Sequence, residues 1–336
     1  MIKPVLHFAL TIFLCKVKIG LSLSQILIEN IFNFSLIMDE KVSSGSTIKA
    51  SWSVIRKFLS TPSFFGIPRI NILLFIATFF TTYLVQSVFF RRDLAGSLSY
   101  AICIMTILFA HEMGHFIMCR KYRVGATWPF FLPIPLPPFG TFGAVIKMRG
   151  HIPSKRALFD IGVAGPIGGL IFAIPITIIG LNFSEIHPVL KDSTSGLQLG
   201  SPLLFSFFTK LIIGNIPEGS DIFISPIVFA GWAGMFVTAL NLMPIGQLDG
   251  GHVIYSLLGK HSSLVSKVGI GIFCCLAIFV SKNWILIAVL LLLFGFRHPA
   301  PVDQFTPLDF RRKCVGVLML VMFFLCFTPI PIYGYK

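Results

Sequence analysis

Residues 94–119 read LAGSLSYAICIMTILFAHEMGHFIMC. The stretch is almost wholly apolar and exceeds the roughly 20 residues that a helix needs to cross a bilayer. Arg120-Lys121-Tyr122-Arg123 closes it. Yet His111, Glu112 and His115 fall inside it. A charge at the bilayer centre costs about 2.5–3.5 kcal/mol or more, so an acid at that depth is a functional residue by default. On a helix, positions i and i+4 share a face, so the two imidazoles can reach one ion. Glu112 is turned off that line and can hold a water instead of a metal. This is the H-E-x-x-H spacing of zinc sites. Given 8 His in 336 residues, chance predicts roughly 0.003 such motifs.

Working outward, the whole chain suits a bilayer. It is 55% hydrophobic and 12% charged, with 36 Phe and a mean hydropathy of +0.87. Soluble domains carry about 25% charged residues, so an ordinary soluble domain and a disordered chain are both excluded. Further apolar runs cover 70–90, 161–181, 222–244, 268–280, 284–296 and 315–332. The expected fold is an all-α polytopic membrane protein with about six to seven transmembrane helices. Residues 70–332 are expected to form one membrane-embedded domain, with a core at about 94–259. Residues 1–69 form an ambiguous N-terminal segment. Met38 opens a polar stretch, Asp39-Glu40-Lys41, that looks like an ordinary cytosolic start.

The net charge of +14 is explained without nucleic acid as a partner. With residues before Ile70 in the cytosol and spans alternating, 18 basic residues fall on the cytosolic side and 6 on the other. That asymmetry is the positive-inside rule. The seven Cys form no C-x-x-C pair and read as small apolar residues.

A catalytic zinc takes three protein ligands and leaves one position for water, so His111 and His115 need a third partner. Asp249 is the best candidate, an acid at the end of a span beside Gly250-Gly251, which lets backbone approach closely. His252 is the rival, and Asp249 as a turn cap is the structural alternative. A His/Glu/Asp cluster in a membrane also suits a metal-ion or proton transporter.

The motifs together resemble the site-2 proteases, intramembrane zinc metalloproteases that cut transmembrane segments. The resemblance rests on His111-Glu112-x-x-His115 and on Asn241-Leu-Met-Pro244-Ile-Gly-Gln-Leu-Asp249-Gly250, at the family's N-x-x-P-x-x-x-x-D-G spacing. Phe139-Gly-Thr-Phe-Gly-Ala-Val145 and Gly162-Val-Ala-Gly165-Pro166-Ile-Gly168-Gly169 also fit. It covers about Leu94 to Gly259. It implies one Zn2+ per chain held by His111, His115 and Asp249, with Glu112 as general base. Asn241 is similar to the family's oxyanion donor, although an Asn there can also tie a broken helix backbone.

Residues 126–148 carry five prolines, which a helix interior does not tolerate. By resemblance this segment is a re-entrant hairpin beside the active site. Thr141, Phe142, Gly143, Ala144 and Val145 would then offer a strand edge to an unwound substrate. Four glycines at 162, 165, 168 and 169 suit close helix packing around the site. Residues 182–221 are expected to be a mixed loop, too short for the PDZ domain of many bacterial relatives. The implied partners are a transmembrane protein substrate and the lipid bilayer. The implied location is a bacterial inner membrane, with the site near the cytosolic face.

Overall fold

The structure, a computed structural model, describes residues 61, 66–188, 198–217, 219–294 and 300–333. The expected start at Met38 lies outside them. The fold is mainly helical. Helix α1 (Arg69–Leu84) continues into a π-helical turn, and α2 (Leu94–Lys121) carries the H-E-x-x-H motif. After them come α3 (Lys155–Leu181), α4 (Leu203–Ile212), α5 (Pro226–Leu242), α6 (Asp249–Leu258), α7 (Ser262–Cys275), α8 (Ile285–Phe294) and α9 (Phe310–Cys326). Among the described residues, four helical runs are long and apolar enough to cross a membrane: 69–89, 94–121, 155–181 and 249–280. The last is bent at Gly259, whose φ of 58° separates α6 from α7.

Local chemistry sets the helix ends. Asp93, Ser154, Ser225 and Asp309 each accept a backbone N–H of the first turn that follows them. Pro226 takes the first helical position of α5, where its missing N–H costs nothing. Pro244 disfavours helical backbone at Met243, so α5 stops at Leu242. Helix α9 ends at Cys326, short of the expected 332, because Pro329 and Pro331 cannot continue it. The expected loop at 182–221 includes regular structure. It contains α4 and the strands β5 (Glu185–Pro188) and β6 (Gln198–Leu199).

Helix α5 is the central post. Val228, Ala230, Trp232, Ala233, Met235 and Ala239 are fully buried. Its glycines let neighbours in: a Cβ at Gly231 would lie 2.2 Å from Thr177 Oγ1 on α3, and one at Gly234 would lie 2.9 Å from Ile107 on α2.

The proline-rich segment is a hairpin of β2 (Phe130–Pro133) and β3 (Thr141–Val145), antiparallel, with Phe130 opposite Val145 and Phe131 opposite Ala144. Its polar backbone is satisfied by the flanking helices. Asn71 Nδ2 reaches the carbonyls of Trp128 and Pro129, Thr81 Oγ1 that of Gly140, and Tyr100 OH that of Phe139. Phe139 stacks on Phe229, Trp232 and Phe236 of α5. The segment therefore leaves α2 at Lys121, passes through β1 (Gly125–Ala126), runs back beside α2 to Tyr100, and returns to β4 (Met148–Arg149), which pairs with β1. That path is about 30 Å of helix each way.

Basic residues gather at one end, where α2 stops and α3 and α9 begin. Arg312 grips Asp160 through two nitrogens, each at 2.7 Å, and Tyr122 donates to the same carboxylate. Tyr122's hydroxyl is held above its ordinary pKa by burial and by that carboxylate. Residues 300–309 are pinned to the start of α3 by Lys155 N to Asp303 O (3.0 Å) and Asp303 N to Pro153 O (3.1 Å).

Gly231→Leu should overpack the α3–α5 contact, at a cost of about 1–3 kcal/mol. The expected outcome is a melting temperature several degrees lower in detergent, followed by scanning fluorimetry.

Candidate metal centre

His111 and His115 lie one turn apart on the buried face of α2, as their spacing requires. His115 Nδ1 is 2.8 Å from the Ile161 carbonyl of α3. A carbonyl only accepts, so that nitrogen carries the proton and Nε2 presents a lone pair. His111 Nε2 lies 3.2 Å from His115 Nε2 and 3.1 Å from Asn241 Nδ2. Asp249 Oδ2 is 3.3 Å from both Nε2 atoms.

The chain brings Asp249 there by breaking a helix. After Leu242 the backbone turns through 243–248, and α6 restarts at Asp249. Cβ atoms on Gly250 and Gly251 would lie 1.9 Å from Leu242 O and 2.2 Å from Gly246 O. Only glycines let the new helix start against the loop that leads into it.

The opposite wall is the glycine face of α3. A Cβ on Gly165 would sit 2.0 Å from His115 Nε2, and one on Gly169 would sit 3.2 Å from His111 Nδ1. Gly162 faces His252, and Gly168 faces the Ala110 carbonyl. On α2 itself, a Cβ on Gly114 would lie 2.2 Å from Ala164 O, so the two backbones are in contact. The four glycines therefore make room for imidazoles as well as for helix packing.

Three electron-pair donors facing one point repel each other unless a cation lies between them. A tetrahedron with bonds of about 2.0 Å has edges of roughly 3.3 Å. The three edges here are 3.2, 3.3 and 3.3 Å. The residues fit a tetrahedral ion, with one corner left open. Among the described residues no other group of His, Cys, Asp or Glu could hold a metal.

Of the residues singled out in the sequence, His111, His115, Asp249 and Asn241 converge. Glu112 is buried next to them, 7% exposed, turned about 100° from His111 around α2. His252, the rival ligand, is buried under Gly162 and stays out of the triad. His151, His187 and His261 are exposed, and His298 lies outside the described residues. Residues 141–145 form β3, whose only strand partner among the described residues is β2. The Tyr122–Asp160–Arg312 cluster was missed. Its signal was an acid at the start of an apolar span and a later Arg-Arg-Lys run, and nothing in the sequence pairs the two.

The fold and site define a helical membrane protein with a His-His-Asp metal centre at the junction of four helices. Residues 99–280 match peptidase family M50, the site-2 protease family, and the chain belongs to it. It is similar to the rice protein named probable zinc metalloprotease EGY1, chloroplastic. They share 33% identity over 188 residues, which is 53% of this chain and 32% of that one. It is also similar to the Arabidopsis thaliana protein named probable zinc metalloprotease EGY2, chloroplastic. That match is 28% identical over 249 residues, 72% of this chain and 42% of the relative. The chain thus spans about a third to two-fifths of the length of these relatives. Membership favours a peptidase over the transporter reading of the same cluster. The expected bacterial inner membrane draws no support from relatives whose names place them in chloroplasts.

His115→Ala should lower bound divalent metal per chain at least tenfold after dialysis, read by mass spectrometry of the metal. Gly165→Val keeps every donor but displaces the His115 ring, so it should cost 10- to 100-fold in metal affinity.

Proposed function

We propose that the protein is a zinc-dependent intramembrane endopeptidase that hydrolyses peptide bonds within or beside transmembrane segments. The observation that carries this is the convergence of His111, His115 and Asp249 at tetrahedral edge lengths beside a buried Glu112. These three residues would hold one zinc ion, which would supply a Lewis acid and lower the pKa of a water toward 7.

The remaining chemistry belongs to the chain. Glu112 takes the proton of the attacking water and delivers it to the leaving amine. Its carboxylate is turned about 100° from His111 around α2, off the face that presents the two imidazoles. Asn241, whose Nδ2 lies 3.1 Å from His111 Nε2, would donate to the oxyanion that develops on the scissile carbonyl. Ile161 holds the His115 ring through its carbonyl. Burial excludes bulk water and strengthens each of these contacts.

Strand β3 is the reading for substrate. Paired to β2 on one edge, it offers Thr141 to Val145 on the other to an extended segment. A helical substrate has no free backbone groups, so it must unwind before this pairing or cleavage. Irregular backbone at membrane depth is tolerated where protein buries it, which suits a re-entrant hairpin clamped between α1 and α2. Residues 70–332 then form one embedded domain crossing six or seven times. Its basic end faces the cytosol, the side from which His111 and His115 are nearer.

Glu112→Gln should abolish cleavage of a co-expressed single-span substrate, by 10²- to 10⁴-fold in rate, while zinc content stays near one per chain. Cleavage at the parental rate by that variant would sink the proposal.

A further inference from the structure

A pocket of about 440 Å³ lies between α6, the first turn of α3 and α9. It is separate from the metal centre. Its walls are apolar, with Ile254 and Leu257 from α6, Leu308, and Val317 from α9. Two cations stand at it, Lys155 and Lys313, and no acidic side chain lines it. Among the described residues neither lysine makes an ion pair. The nearby acid Asp303 feels the charge of Lys155, but its hydrogen bonds come from Phe305 N, Thr306 N and the Thr306 hydroxyl. Lys155 Nζ stands 3.9 Å from where a side chain would begin at Gly259, so the missing side chain leaves room beside its ammonium.

The position matters as much as the composition. Lys155 opens the apolar helix α3 and Lys313 lies in the first turn of α9, at the end where the basic residues gather. On the topology proposed above, that end lies at the membrane–water boundary. From the pocket, Val317, Val321 and Phe324 continue as an exposed apolar face along α9. Cations at the boundary and an apolar track running inward match an anionic phospholipid. Basic pockets between membrane helices on the positively charged side bind such headgroups.

We propose that this pocket is an anionic-phospholipid site, with the phosphate between Lys155 and Lys313 and one acyl chain against Ile254, Leu257 and Val317. A free phosphate ion would find the lysines but have no use for the walls. A zwitterionic lipid would find the walls but gain little from the paired cations. Because α6 begins at Asp249 and supplies Ile254 and Leu257, a lipid seated here braces the helix that carries the third metal donor. The inference stands apart from the peptidase reading, since the binding it predicts needs no activity.

The test is native mass spectrometry of the full chain in detergent, titrated separately with dioleoyl-phosphatidylglycerol, dioleoyl-phosphatidylcholine and inorganic phosphate. The unaltered protein should retain one phosphatidylglycerol at least tenfold more tightly than phosphatidylcholine. Lys155→Gln with Lys313→Gln should erase that preference. Lys260→Gln with Lys267→Gln, at the same end but outside the pocket, should leave it intact. Val317→Trp, which keeps both lysines and fills the track, should also remove the bound lipid. Equal loss in both lysine pairs would show diffuse attraction to a basic surface and overturn the site. So would retention of phosphatidylglycerol by Val317→Trp, or displacement of the lipid by millimolar phosphate.

Discussion

The structure depends on how closely α3 can approach α2. Three donor atoms must stand 3.2–3.3 Å apart inside an apolar protein, and two of them are imidazole nitrogens on one helix. Any side chain on the facing helix at Gly165 would occupy the space of the His115 ring. Contact between the backbones at Gly114 and Ala164 sets the depth of this packing. The Ile161 carbonyl then reaches His115 Nδ1 and fixes which ring nitrogen faces the centre. Helix packing, tautomer and donor geometry are thus one constraint. Bilayer proteins satisfy it with small residues because lipid gives apolar side chains no reason to prefer each other.

A second break in regularity completes the site. An unbroken helix through 226–258 would carry Asp249 past the two histidines. Pro244 stops α5, the turn through 243–248 folds back, and Gly250-Gly251 let α6 start against it. The hairpin of β2 and β3 follows the same rule. Its non-helical backbone is held between helices because Asn71, Thr81 and Tyr100 supply hydrogen bonds to its carbonyls. Polar side chains in an apolar setting here complete the backbone rather than act on substrate.

Much of this was legible in the sequence. The i, i+4 histidines, the acid beside Gly250-Gly251 and the prolines of 126–148 each carry a local rule that admits few readings. The length of α2 followed from its apolar run and its basic end. Where the reading failed, competition between local signals was the reason. Residues 327–332 are as apolar as the helix before them, yet Pro329 and Pro331 end it. The 182–221 segment looked like loop because its helix is short and its strands pair only with distant partners. Tyr122, Asp160 and Arg312 are up to 190 positions apart. No spacing rule connects them.

The sequence by itself determined the class of protein, the two histidines, the general-base candidate and the irregularity of the proline-rich segment. These follow from residue type and from spacing within one element, which a single chain direction is enough to read. Tertiary structure brought Asp249, already favoured over His252 in the sequence, within 3.3 Å of both histidines. It also decided that Ile161 orients His115, that glycines on α3 form a wall for imidazole rings, and that Lys155 and Lys313 meet over one apolar pocket. Each of these is a distance between elements, set by how closely backbones pack, and packing distance is not written in the order of the residues.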